Sequence, residues 1–200
     1  MSIRKNLEGT IRKGYPLLDD AQVKDLMETI ESHSLAAAAA GFASGILPGV
    51  GVPISMMACI GFVTAMYVKV TKKVGIKISK VKLKAIASVA LAEIASHSIV
   101  YVAGGVIISF IPGLSNLVMG AGQYAFTYMA GIMYLSFLKE FFGAGSKVEE
   151  MTDEAIKAKL SESLSDNEIK SMVEELMKDY KARKKANEIT GNEIVDDVQE

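Results

Sequence analysis

Tryptophan is absent from this chain of 200 residues, cysteine occurs once and proline four times. The lone Cys59 excludes an intrachain disulfide and a cysteine-based zinc site. The only two histidines, His33 and His97, lack the acidic cluster that a catalytic zinc centre needs, so no metal is expected. No nucleophile stands beside a base, so the chain does not read as an enzyme. Gly143-Ala144-Gly145-Ser146-Lys147 lacks the spacing of a phosphate loop and follows an apolar helix instead of a strand, and no cofactor is called for. The first twenty residues hold no apolar core of about seven to fifteen residues, so a cleavable secretory leader is not expected. The formal net charge of −1 gives no global basic field that would favour nucleic acid.

The most informative absence is local. From Ser32 to Val68, and again from Ile94 to Leu138, there is no Asp, Glu, Lys or Arg. Half of the chain is hydrophobic and its mean hydropathy is +0.28, high enough to suggest a membrane. Each uncharged run is broken by proline and glycine, which end helices and permit tight reversals. Pro48, Gly49 and Pro53 mark the first turn, and Pro112 and Gly113 the second. Two helical hairpins result.

The hairpins read as copies of one unit at an offset of 64 positions, which carries His33 onto His97, Gly41 onto Gly105, Gly45 onto Ser109 and Pro48-Gly49 onto Pro112-Gly113. The spacing divides the chain into a polar basic arm (1–19), a hydrophobic domain (20–142, with repeat units of about 20–78 and 84–142), amphipathic helices (147–186) and an acidic tail (187–200). The arm suits a loosely ordered terminus or a short surface helix. Asp19 or Asp20 caps a helix in which Val23, Leu26, Met27 and Ile30 share a face, and Ser165-Asp166-Asn167-Glu168 is a capping box that opens another with Ile169, Met172, Val173, Leu176 and Tyr180 on one side. The last helices are expected to pack on each other or on a protein partner.

Three groups of residues are candidates for function. Gly41, Gly45 and Gly49, with Gly105, Ser109 and Gly113, form small-residue faces of the kind that let helices approach closely in lipid. Lys69, Lys72, Lys73, Lys77, Lys80, Lys82 and Lys84 follow one another without an acidic residue, a polybasic connector suited to anionic lipid headgroups, and no aromatic residue pairs with them as in single-strand nucleic-acid binding. His33 and His97, with Glu93 one turn before His97, form a candidate titratable pair, although interfacial residues bonded to nearby backbone are the simpler reading.

The hairpins, with Leu47-Pro48-Gly49-Val50-Gly51 and Ile111-Pro112-Gly113, resemble the hydrophobic domain of unknown function on the C-terminal side of some bacterial GTPases. The likeness covers about residues 30 to 142 and implies a membrane-associated helical module; the GTPase module itself is absent, so nucleotide hydrolysis does not carry over.

Taken together, the sequence predicts an all-α membrane protein of two tandem helix–Pro/Gly turn–helix hairpins followed by short amphipathic helices. It would span the inner (plasma) membrane with both termini cytoplasmic, as a homo-oligomeric channel, pore or membrane-shaping scaffold. The alternative is a soluble or conditionally inserting helical protein that binds lipid or a partner.

Overall fold

The computed structural model describes residues 3–44, 51–97, 114–141 and 146–186. These are all-α, with no strand among them: α1 (Ile3–Gly14), α2 (Asp20–Ser44), α3 (Gly51–Lys73), α4 (Lys80–His97), α5 (Leu114–Lys139), the single turn α6 (Ser146–Glu149), α7 (Asp153–Ser163) and α8 (Asp166–Lys185).

The ends of these helices follow from local chemistry. Asp19 caps α2: its carboxylate accepts from the Gln22 amide at 2.8 Å while the Gln22 side chain accepts from the Asp19 amide at 3.0 Å. Ser165 and Glu168 form the same reciprocal pair at the start of α8, and the Thr152 hydroxyl caps α7 by accepting from the Ala155 amide. At the end of α3, Gly75 takes φ +76°, a left-handed conformation that glycine adopts without steric penalty. Its amide reaches the Lys72 carbonyl and the Ile76 amide reaches that of Thr71, which closes α3 and turns the chain into α4.

The molecule is built around α5. Every residue from 123 to 138 is buried, so the helix has no solvent-facing side over that length. Its neighbours are α1, α2, α3, α4, α7 and α8. The Tyr15 hydroxyl, just past α1, donates to the Leu135 carbonyl at 2.7 Å. From α3, Tyr67 donates to the Ala130 carbonyl at 2.9 Å and stacks on Tyr134 with ring centres 3.8 Å apart, and the Cys59 thiol lies 3.5 Å from the Thr127 hydroxyl. These pairs rise together along both helices, so α3 and α5 run parallel. α2 runs the opposite way: Ile30 lies against Gly131, and Ala38 and Phe42 against Gly120. Outside α2, Arg4 from α1 and Arg183 from α8 both pair with Glu31, at 3.5 and 2.8 Å, and fasten three elements at one carboxylate.

This arrangement corrects the membrane reading. Among the described residues, no helix is long and apolar enough to cross a membrane. That overturns an integral membrane protein with transmembrane helices, the oligomeric channel, pore or scaffold, and a place spanning the inner (plasma) membrane with cytoplasmic termini. A helix that is apolar all round must be covered, and either lipid or protein can do it. Here the chain's own helices cover α5. The segment read as a basic arm is α1, with Ile3, Leu7 and Ile11 buried at four-residue spacing. The apolar side of α8, with Ile169, Val173, Leu176, Met177 and Tyr180, belongs to the same core.

Candidate functional site

The outward side of α3 carries Ile60, Thr64, Ala65 and Val68 at helical spacing, and with His33 from α2 it floors a groove of about 570 Å³. Two polar atoms on this floor bond to main chain. Thr64 donates to the Ile60 carbonyl at 2.6 Å, and the His33 ring, 3% exposed, sets Nδ1 2.7 Å from the Thr29 carbonyl. Gly61 leaves the floor open, since a Cβ built there would meet nothing within 4 Å. Met57 stands at the end of the groove, 75% exposed.

Lysines border this floor. Lys69 and Lys72 come from the end of α3 and Lys80 and Lys84 from the start of α4, which the turn at Gly75 folds back beside them. Among the described residues no acidic side chain lines the groove, and no carboxylate lies within ion-pair distance of Lys72, Lys80 or Lys84. The rest of the polybasic connector is placed differently. Lys73 pairs with Asp25 at 2.5 Å, Lys82 donates to the Met151 carbonyl at 2.7 Å, and Lys77 is exposed in the loop that follows α3.

The two histidines belong to separate surroundings. His33 lines the groove, whereas His97 closes α4, where its Nε2 lies 3.3 Å from Glu93 and 3.5 Å from Asp166 of α8. Glu93 is buried and joins α4 to α7: it accepts from the Ser161 hydroxyl at 2.7 Å and has the Lys157 ammonium 4.0 Å away. Burial alone would raise its pKa, but the hydrogen bonds from Ser161 and His97 and the nearby Lys157 charge outweigh it, and the carboxyl titrates below its usual value. Ser161, Lys157 and Asp166 carry no sequence signal that points to Glu93, because they lie far along the chain. The Glu93–His97 contact is visible in their four-residue spacing.

Of the small-residue faces, Gly41 is described and packs within the chain. A Cβ there would lie 2.5 Å from Gln123 Cγ and 2.8 Å from the Met119 carbonyl oxygen, so this face is occupied by α5 and cannot also seat a helix of another copy. Gly45, Gly49, Gly105, Ser109 and Gly113, together with the turn residues Pro48 and Pro112, lie outside the described residues; Pro53 falls in the first turn of α3, where its missing amide proton costs no helical bond. Gly120 and Gly131, not singled out by the repeat, are the close-contact positions on α5. They stand 11 residues apart, three helical turns, and so share the side that meets α2. Among the described residues, no three His, Cys, Asp or Glu side chains come together in a way that could hold a metal ion.

Comparison with protein-family models, with curated proteins and with solved structures found no match to the chain. The likeness to the hydrophobic domain beside bacterial GTPases therefore rests on its Pro-Gly turns, of which 47–50 and 111–113 lie outside the described residues.

Proposed function

We propose that the chain is a helical lipid-binding protein that docks its α3–α4 side on an anionic membrane surface. In this reading Lys72, Lys80 and Lys84 meet acidic headgroups and the apolar groove between them takes an acyl chain. The observation that carries it is the pairing of an apolar floor with a border of lysines that has no acidic residue among its described lining. Exposed Met57 and Val81, 75% and 82% accessible, add apolar side chains from both helices of this hairpin. A basic border over an apolar floor matches an amphiphile whose charge and hydrocarbon are adjacent, a match that a soluble anion or a neutral lipid meets only by half.

Each lysine near an anionic surface contributes about 1 kcal/mol, so the triple variant Lys72→Ala, Lys80→Ala, Lys84→Ala should bind roughly a hundredfold more weakly. Co-sedimentation with vesicles of phosphatidylcholine containing phosphatidylglycerol is expected to recover the native chain, to weaken as salt rises, and to fail with phosphatidylcholine alone. Gly61→Phe, which fills the groove floor without a clash at Cβ, should weaken binding while all the lysines remain. Equal binding to neutral and anionic vesicles, or no effect of the lysine variant while its helix content stays native, would refute the proposal.

A further inference from the structure

A second hollow of about 570 Å³ lies between α1, the C-terminal half of α5 and α8, and its lining differs in kind from that of the lysine-bordered groove. Where the groove is apolar with cations at its rim, this hollow presents charges of both signs and several hydrogen-bonding side chains. Ser136 of α5 is the most telling. It is 8% exposed and lines the hollow, yet its hydroxyl makes no hydrogen bond among the described residues. The hydroxyls of Thr10, Thr29, Ser34, Thr64 and Thr71 all return to the carbonyl four residues back. Ser136 does not, so its hydroxyl is left to bond with what occupies the hollow, water or a ligand.

The charges are arranged by the course of the helices. A Cβ at Gly14 would touch Lys139 Cβ at 3.4 Å, so the end of α1 meets the end of α5 and brings Lys13 and Lys139 to one end of the hollow. α8 runs antiparallel to α5, with Tyr180 beside Gly120 and Tyr124, so Asn167 lies toward the lysine end and Glu175 toward the other. Among the described residues neither lysine has a carboxylate within ion-pair distance, nor has Glu175 a cation. Glu168, by contrast, is engaged with Ser165. From Asn167 to Glu175 the helix advances about 12 Å, and three residues of extended chain span about 10 Å.

We propose that this hollow binds a zwitterionic peptide of two or three residues, its carboxylate at Lys13 and Lys139, its ammonium at Glu175, and its amides against Ser136, Asn167 and Ser171. A zwitterion uses both ends of the lining, whereas an anion would leave exposed Glu175 to water and a cation would meet the two lysines. Because the lining offers charges and hydrogen bonds to backbone and termini, side-chain identity is secondary and a plain peptide is an adequate probe.

The test is titration calorimetry of the full chain with trialanine, with N-acetyl-trialanine and with trialanine amide. Trialanine should bind, and each blocked form should bind about tenfold more weakly or worse, since each loses a charge-assisted contact. Glu175→Gln should weaken trialanine but leave N-acetyl-trialanine unchanged, whereas Lys139→Gln should weaken both trialanine and N-acetyl-trialanine. Ser136→Ala should weaken trialanine without lowering the melting temperature, because it removes a hydroxyl that has no partner among the described residues. No heat of binding with trialanine, or affinities indifferent to blocking and to Glu175→Gln, overturns the proposal. Either result leaves the vesicle experiments untouched, since none of these residues borders the lysine groove.

Discussion

At Gly41 the α2 backbone comes so close to α5 that a single added methyl would collide with the Met119 carbonyl, while twenty residues later at Gly61 the same methyl would meet open space. The two positions make a paired prediction. Gly41→Ala should destabilise by about 1–3 kcal/mol through overpacking, and Gly61→Ala should stabilise by about 0.5–1 kcal/mol because alanine loses less conformational freedom in a helix; urea denaturation of both variants measures the difference. Glu93 gives a prediction in pH. Its carboxyl titrates lower in the fold than the ordinary 4.5, so the stability it adds is fully present above that value and is lost as pH falls through the lower folded value. The stability gap between the native chain and Glu93→Gln should therefore be constant near neutrality and shrink below about pH 4.5; a gap that does not change on acidification would mean the carboxylate is not held as described. The partnership of Glu93 with His97 was legible from spacing within one helix. That with Ser161 was not, since no local rule relates residues on helices joined only through the fold.

Among the elements, α5 shows what a sequence can and cannot say. An uncharged run of this length specifies a helix, and the 64-residue offset that maps 51–73 onto 115–137 falls inside the observed α5. What surrounds the helix is not written in it, because lipid and protein ask for the same apolar surface. The deciding information lies in the amphipathic segments: Ile3, Leu7 and Ile11 in α1 and the stripe from Ile169 to Tyr180 in α8, whose buried sides close over α5. These stripes are legible as helix faces, but their destination is not. Leu176 is fully buried, so Leu176→Ala should cost about 2–5 kcal/mol in urea denaturation. If α8 were only a loosely attached arm, the loss would be near zero. The lysine groove divides in the same way. The polybasic connector was plain in the sequence, but the choice of Lys69, Lys72, Lys80 and Lys84 over Lys73 and Lys82 depends on the turn at Gly75, which sets the rotation of α4 against α3.

On the scale of the whole molecule, one buried cluster runs from Ile3 to Tyr180 and includes residues from each of the described helices α1 to α8. A protein that hides so apolar a central helix behind its other helices has an internal record of whether that cover stays shut. Cys59, wholly inaccessible and set against Thr127 where α3 meets α5, is that record: burial pushes its thiol up to about 11, with the Thr127 hydrogen bond opposing only in part. Reaction with an impermeant thiol reagent therefore requires α3 to part from α5, so the rate of labelling times the opening of the bundle without any engineered probe. With anionic vesicles present, docking by the outer side of α3 and α4 should leave that rate unchanged or slow it. Acceleration would instead show that the membrane draws the hairpin off its central helix, and the single cysteine of the chain would then time the release of α5 from its cover.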